Sequence, residues 1–159
     1  MKRYSAKQMI QQYGTPEAAI NAALEILRKG MRERGAALTS PGIVRDYLRL
    51  NLAPLEHEAF WCVWLDAQHR VIAAQESFRG SLTSTSVFPR EIAKQGLAVN
   101  AAAVIFAHNH PSGVAQPSQA DELLTRTLRD ALSLFDIKVL DHFIFGMDTT
   151  MSFAEMGLI

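Results

Sequence analysis

The feature that most constrains this chain of 159 residues is the segment 106–121, FAHNHPSGVAQPSQAD, because no other stretch holds so many metal-binding side chains so close together. The apolar run before it, residues 101–107, has the length of a buried strand, and side chains two apart on a strand lie on the same face. We therefore expect His108 and His110 to point the same way, with Asn109 turned to the opposite face. Their two imidazoles could then bind one ion.

The residues that follow predict a loop that ends in a helix. Two prolines and a glycine between positions 111 and 117 break the strand, and a polar and apolar pattern at helical spacing begins at Ser118. This loop is expected to return Asp121 to the side of the histidines in the first turn of the helix. Two histidines and one carboxylate leave the fourth tetrahedral position to water, which is typical of a catalytic zinc rather than a structural one.

A structural explanation fits part of the same pattern. Ser118 and Asp121 have the spacing of a helix N-cap, and taken alone that interpretation is at least as good as metal binding. A single His-x-His pair also occurs by chance. Taken together, with Pro-Ser-Gly between the histidines and the serine, these residues favour a metal site formed by His108, His110 and Asp121.

The spacing of this segment also resembles that of a known family. His108-x-His110, then seven residues, Ser118, two residues and Asp121 matches the JAMM (MPN+) metalloprotease motif, and the whole run is similar to the RadC branch of that superfamily. The resemblance extends over roughly residues 37 to 159. It implies an α/β fold of the JAB/MPN type, with a mixed central sheet that is flanked by helices and related to the sheet of cytidine deaminases. It also implies a zinc-dependent hydrolase, in which metal-activated water attacks a peptide or isopeptide amide of an unidentified protein substrate.

The resemblance further implies a general base and an oxyanion donor. JAMM domains take the base from the segment just before the first buried strand, where this chain has Glu58, with Glu56 as the main alternative. Glu58 would take the proton of the metal-bound water and pass it to the leaving amine, and Ser118 would donate a hydrogen bond to the oxyanion. The structural alternative for Glu58 is a charged strand end that reaches solvent. Asp141 and His142, in the predicted last strand, could orient a ligand but are not counted among the ligands.

The chain is predicted to consist of an N-terminal helical extension, residues 1–36, and a RadC-like JAB domain, residues 37–159. In the extension, Thr15 and Pro16 predict the start of a helix. One face of this helix is an apolar stripe formed by Ile20, Ala23, Leu24, Leu27 and Met31. The stripe must be covered either by the main domain or by a second chain, so a homo-oligomer is one of two alternatives. The predicted order of the domain is a helix from Ser40-Pro41, strands 59–66 and 70–78 in a hairpin, a helix from Pro89, strand 103–108, helix 121–135 and strand 137–145.

Composition excludes several classes of protein. Sixteen basic and sixteen acidic residues give no net charge, which offers no attraction to nucleic acid or to an anionic membrane. The seven basic residues of the extension, against three acidic, most simply form a solvated face. The single cysteine, Cys62, excludes an internal disulfide and the Pro-Cys-x-x-Cys motif of zinc deaminases. No apolar run approaches the roughly 20 residues of a membrane helix, and no signal-peptide core is present, so we expect a cytoplasmic protein.

Two other functions compete with the hydrolase. RadC-like proteins have been linked by name to DNA repair, so this chain could be a DNA-repair accessory or DNA-binding protein with a secondary metal site. The neutral charge and the lack of the glycine-rich helix-hairpin-helix module of full-length RadC-like proteins weigh against that function. The other alternative is a metal-stabilised scaffold without catalysis, against which the complete ligand set argues.

Overall fold

The computed structural model describes residues 6–33, 41–81 and 86–159 of the chain. These residues form five helices and five strands, in the order α1 (Ala6–Tyr13), α2 (Pro16–Glu33), α3 (Pro41–Leu52), β1 (Ala59–Leu65), β2 (Val71–Arg79), α4 (Pro89–Ala98), β3 (Ala103–Asn109), α5 (Gln119–Ser133), β4 (Lys138–Phe145) and β5 (Thr150–Ser152). The strands make one sheet in the order β2-β1-β3-β4-β5. Strands β3 and β4 are parallel and all other neighbours are antiparallel. The predicted mixed sheet with flanking helices is thus confirmed.

Strand β3 lies at the centre of the sheet, and all seven of its residues are buried. Ile105 and Ala107 pack into a core that includes residues of α3, whereas Val104 and Phe106 pack into a second core with residues of α4 and α5. Because helices cover both faces, the strand is apolar on both faces instead of alternating. His108 continues the second set, so its side chain lies on the face covered by α5.

Strand β3, helix α5 and strand β4 form a β-α-β unit. Parallel strands cannot be joined by a tight turn, so the chain must cross over the sheet through a connection such as α5. Helix α5 therefore starts close to the end of the sheet at which β3 finishes. This connection brings the first turn of α5 to the histidines, and it is the reason that the fold can form a site from residues 108–121.

The elements of the domain follow the sequence patterns closely, apart from their ends. The hairpin of β1 and β2 is confirmed, and its turn is closed by Asp66, whose Oδ1 accepts from the N–H groups of Gln68 and Arg70 at 2.9 Å each. Helix α5 spans 119–133 instead of the predicted 121–135, because Ser118 caps it two residues earlier. Strand β3 runs one residue further than predicted, and β4 begins one residue later.

Strand β5 was not predicted. It has only three residues, and its pairing with β4 is supported by the hydroxyl of Ser152, which donates to Oδ2 of Asp141 at 2.6 Å. The N–H of Ala154 donates to Oδ1 of the same carboxylate at 3.0 Å. A side-chain contact across eleven positions of the chain holds this strand, and no periodicity could have revealed it.

In the extension, α2 begins at Pro16 as predicted, and Oγ1 of Thr15 accepts from the N–H of Ala18 at 3.2 Å. Leu24 and Leu27 pack against the core beside α3, so the main domain covers part of the apolar stripe. The proposed division at residues 36 and 37, together with Ser40, lies outside the described residues and stays a prediction. Within the part that is described, no helix combines the length and the apolar character needed to cross a membrane.

Candidate metal centre

His108 and His110 stand at the end of the sheet where β3 finishes. His108 is almost completely buried, and its ring lies stacked against that of Phe60 with 6.3 Å between the ring centroids. His110 follows the last residue of β3, but its N–H still donates to the carbonyl of Phe145 at 2.9 Å, which continues the pairing with β4. The predicted common direction of the two imidazoles follows from this extended backbone.

Asn109 points to the opposite side, as expected, and has a structural role there. Its Oδ1 accepts from the N–H of Ala59 at 2.8 Å, and its Nδ2 donates to the carbonyl of His57 at 2.9 Å. The side chain therefore ties the end of β3 to the segment that enters β1. This contact fixes the position of β1 relative to the histidines.

The loop after His110 is closed by glycine. Gly113 has a φ of +84°, which other residues rarely adopt, and its N–H donates to the carbonyl of His110 at 2.9 Å. Its own carbonyl accepts from the N–H of Met147 at 3.1 Å. The loop is thus bonded both to itself and to the segment that follows β4.

Ser118 and Asp121 form a complete capping box at the start of α5. The N–H of Asp121 donates to Oγ of Ser118 at 3.2 Å, while Oδ2 of Asp121 accepts from the N–H of Ser118 at 2.7 Å. The positive end of the helix dipole also favours a carboxylate in the first turn. The structural interpretation of this pair is therefore correct, and it is compatible with metal binding because Oδ1 of Asp121 takes no part in the box.

Ligand atoms of three side chains converge at this point. Nε2 of His108 lies 2.9 Å from Nε2 of His110 and 3.3 Å from Oδ1 of Asp121, and Nε2 of His110 lies 3.5 Å from Oδ2 of Asp121. Two ligands that are each about 2.1 Å from a tetrahedral zinc ion are about 3.4 Å apart, which is close to the distance from each imidazole nitrogen to one oxygen of the carboxylate. The three side chains form a potential metal site, with a donor set that suits zinc.

The hydrogen bonds of His110 indicate that the cluster attracts a cation, which is either a metal ion or a proton. Nδ1 of His110 lies 2.7 Å from the carbonyl oxygen of Val114, which can only accept, so Nδ1 carries the proton and Nε2 presents a lone pair. That lone pair faces a second imidazole nitrogen and a carboxylate. Without a metal ion, a proton takes the place of the cation: the hydrogen bond with Asp121 raises the pKa of His110 above its ordinary value, although burial opposes this.

The pKa of Asp121 shifts in the opposite direction. Burial raises it, but the imidazoles of His108 and His110 beside this carboxyl outweigh burial and hold its pKa well below the ordinary value. Asp121 is therefore ionised throughout the neutral range and is ready to ligate.

Glu58 lies across from His110. Phe60 is paired with His108 in the antiparallel ladder, so Glu58, two residues earlier, comes opposite His110. Its backbone is fixed by the N–H of Glu58, which donates to Ser81 at 2.9 Å, and its negative charge contributes to the raised pKa of His110. Glu56 is exposed two residues further from the strand. The register thus favours Glu58 over Glu56 as the carboxylate next to the cluster.

The hydroxyl of Ser118 is engaged in the capping box. It donates its single proton to Oδ2 of Asp121 at 2.6 Å. The predicted role of Ser118 as an oxyanion donor would require this hydrogen bond to break, and it stays a prediction. In the arrangement described here, Ser118 orients the carboxylate of Asp121.

Asp141 and His142, which we considered together from the sequence, have different surroundings. Asp141 binds the turn at the end of β5, away from the cluster, as described above. His142 is fully buried, and its Nε2 lies 2.8 Å from Nδ1 of His108. The sequence reasoning missed Thr125, whose Oγ1 lies 2.7 Å from Nδ1 of His142. Its only sequence signal is its position one helical turn after Asp121.

Comparison with known proteins agrees with these observations. A family model described as the RadC-like JAB domain matches residues 38–158. Among similar relatives are the UPF0758 proteins of Thiobacillus denitrificans and Leptothrix cholodnii, which are 59% and 55% identical over 143 residues, and of Dechloromonas aromatica, 55% identical over 146 residues. The alignments cover 88–89% of this chain and 64–65% of the relatives. The chain thus spans just under two thirds of their length.

Proposed function

This chain belongs to the family of RadC-like JAB domains, and from that premise we propose that it is a zinc-dependent hydrolase in which water activated by the metal attacks a peptide or isopeptide amide. JAB/MPN families include metallohydrolases. The observation that carries the proposal is the convergence of His108, His110 and Asp121, whose ligand atoms all lie within 4.8 Å of one another.

The metal would be held by two imidazole nitrogens and one carboxylate oxygen. When bound, zinc would supply a Lewis acid that polarises the substrate carbonyl and lowers the pKa of a coordinated water. His108 is held rigidly because it is buried in the sheet, whereas His110 and Asp121 are partly accessible. One side of the cluster therefore faces the protein and the other is open to a substrate.

Glu58 is the proposed general base. It lies at the edge of the cluster, beside His110, at a position where its backbone is held by the extension of β2. A half-buried carboxylate that is not among the three ligands can take the proton of water and deliver it to the leaving amine. Ser118 is the proposed oxyanion donor. Its hydroxyl could turn to the substrate because the backbone N–H of Ser118 would still hold Oδ2 of Asp121.

The first test measures zinc content and hydrolysis together. We would load the full chain with zinc, incubate it with a peptide library in ¹⁸O water, and identify new carboxyl termini by mass spectrometry. Glu58→Gln should retain stoichiometric zinc and lose activity by about 10²–10⁴-fold, because it removes only the base. Glu56→Gln is the matched control and should behave as the unsubstituted protein does. Full activity in Glu58→Gln, or failure of the unsubstituted protein to bind zinc, would contradict the proposal.

A further inference from the structure

Three buried polar side chains form a hydrogen-bonded chain behind the metal ligands. They are Thr125 of α5, His142 of β4 and His108 of β3, and each is no more than 2% exposed. Oγ1 of Thr125 lies 2.7 Å from Nδ1 of His142, and Nε2 of His142 lies 2.8 Å from Nδ1 of His108. Because water cannot reach these buried groups, each must find its hydrogen-bond partners within the protein.

The direction of the protons in this chain follows from its first member. Oγ1 of Thr125 donates its only proton to the backbone carbonyl of Asp121 at 2.6 Å, so towards His142 it can only accept. Nδ1 of His142 therefore carries a proton, and in the neutral ring Nε2 has a lone pair. This lone pair accepts from Nδ1–H of His108, which leaves Nε2 of His108 with its own lone pair on the side of the metal ligands.

The surroundings of His142 keep its ring neutral and fixed. His142 is fully buried, and burial disfavours the doubly protonated, charged form of an imidazole. The ring is stacked on Phe153 at 4.9 Å between centroids and meets the edges of Phe60 and Phe106 at 5.5 and 5.8 Å. These three aromatic rings prevent the imidazole from turning away from His108.

We propose that Thr125 and His142 are positioning residues that hold His108 in the tautomer with Nδ1 protonated, so that Nε2 is ready to bind the metal ion before the ion arrives. The inference rests on the proposed function in one respect, because it concerns the same metal site. An unconstrained imidazole exchanges between two tautomers, of which only one offers Nε2. Fixing the tautomer therefore favours metal binding without any contact between Thr125 or His142 and the ion.

The chain of hydrogen bonds also explains how two ligands on different elements keep their spacing. It begins at the carbonyl of Asp121, the ligand on α5, and ends at His108, the ligand on β3. Each step is a direct hydrogen bond between 2.6 and 2.8 Å. A shift of α5 along the sheet would break the bond between Thr125 and His142, so the network resists that shift.

Substitutions at Thr125 provide the test, because valine has the shape of threonine without the hydroxyl and serine keeps the hydroxyl. Thr127→Val is the matched control: Oγ1 of Thr127 makes the same bond to the carbonyl four residues earlier, at 2.8 Å to Leu123, but it is exposed on the other side of the helix. We would measure the tautomer of His108 in the metal-free protein by long-range ¹H–¹⁵N NMR of the imidazoles. The zinc dissociation constant would be measured by competition with a chromogenic chelator.

We expect Nδ1 of His108 to be protonated in the unsubstituted protein and the two tautomers to be mixed in Thr125→Val. The zinc dissociation constant should rise by about 10–100-fold in Thr125→Val, while Thr125→Ser and Thr127→Val should stay within about threefold of the unsubstituted value. A role in packing alone would change stability without changing the tautomer.

The unsubstituted protein alone can overturn the inference, so the test does not depend on the folding of a variant. Protonation of Nε2 instead of Nδ1 on His108 in the metal-free protein would overturn it, as would a Thr125→Val variant with an unchanged tautomer. Either result leaves the proposed hydrolase untouched. Conversely, protein that shows the expected tautomer but no zinc-dependent hydrolysis would refute the proposed activity and leave the positioning role in place.

Discussion

At the scale of single residues, the surroundings of each side chain decide what it can do. His69 and His110 are both histidines near a chain turn, but His69 is exposed at a left-handed position with a φ of 58°, and among the described residues none is hydrogen-bonded to its ring. His110 is bonded at Nδ1 to a carbonyl and lies with Nε2 beside a carboxylate. Only His110 is arranged as a metal ligand, because the hydrogen bond at Nδ1 fixes its ring and Nε2 then points to the other ligands.

The raised pKa of His110 predicts a pH dependence of zinc binding. A proton on His110 competes with the ion, so the zinc affinity should fall as the pH falls below that raised pKa, by about tenfold per pH unit for one competing proton, and level off above it. Titration calorimetry between about pH 6 and about pH 8 would measure this. His69→Asn should leave the profile unchanged. An affinity that does not vary with pH over this range would contradict the prediction.

The same shift determines how the metal-free protein responds to pH. A raised folded-state pKa contributes stability that is fully present below the unfolded value, about 6.5, and is lost as the pH rises through the folded pKa. Metal-free protein should therefore lose this contribution at alkaline pH, where zinc would replace the proton. Chemical denaturation at several pH values, with and without zinc, would show whether the difference between the two forms grows with pH.

Cys62 is predicted to be an inert core residue. It is fully buried in β1, and burial raises the pKa of its thiol to about 12. Because the thiolate is the reactive form, Cys62 should not react with a disulfide reagent in the native protein at about pH 8 and should react fully after denaturation. Rapid labelling of the folded protein would show that β1 opens or that the thiol has a different environment.

At the scale of elements, the site depends on the ends of helices and strands. The capping box orients Asp121 at the start of α5, the last residues of β3 present the histidines, and the entry to β1 carries Glu58. The loop after β3 and the segment after β4 are in close contact, since a Cβ atom on Gly146 would clash with the carbonyl of Gly113. The contact leaves no room for a side chain and sets the distance between the two loops.

Gly146→Ala is therefore expected to destabilise the protein and to weaken the site. The added methyl group would push the loop of Gly113 away, at a cost of about 1–3 kcal/mol in the free energy of unfolding, and would disturb His110, which is bonded to Gly113. Met147→Ala is the control: Met147 is 72% exposed, so truncation of its side chain should change stability by less than about 0.5 kcal/mol. Equal stability of the two variants in urea would contradict this explanation.

At the scale of the whole molecule, the candidate site lies where parallel strands end and a helix begins. The carboxyl ends of β3 and β4 and the first turn of α5 meet there, which is the usual place for a ligand site in sheets with parallel strands. The ligands come from two elements and the proposed base from a third. An ion at this point would therefore link the end of β3 to the start of α5.

Zinc is thus expected to stabilise the whole domain. With free zinc at about 100 times its dissociation constant, the free energy of unfolding should rise by about 2.7 kcal/mol, because the ion binds the folded form only. Thermal unfolding followed by calorimetry would measure the shift. Magnesium at the same concentration should have little effect, since it prefers six oxygen ligands, and His110→Asn should remove the effect of zinc. A zinc shift that persists in His110→Asn would place the ion elsewhere.

Much of the fold and of the candidate site is determined by residues that are close together in the sequence. The buried strand, the His-x-His spacing, the loop and the helix cap could be predicted from the sequence because each depends on residues within a few positions of one another. The family motif followed from the same segment. The capping-box interpretation of Ser118 and Asp121 and the metal-site interpretation needed no choice between them, because Oδ1 of Asp121 takes no part in the capping box and faces Nε2 of His108.

The tertiary structure decided what depends on distant segments. The position of Glu58 next to His110 follows from the register of β1 and β3, and the contact of His142 with His108 follows from the register of β3 and β4, where His142 pairs with Phe106. Asp141 and His142 are neighbours in sequence, but the alternation of a strand sends one to the end of β5 and the other to the metal ligands. Register is a property of pairs of strands, so one strand's residues alone do not reveal it.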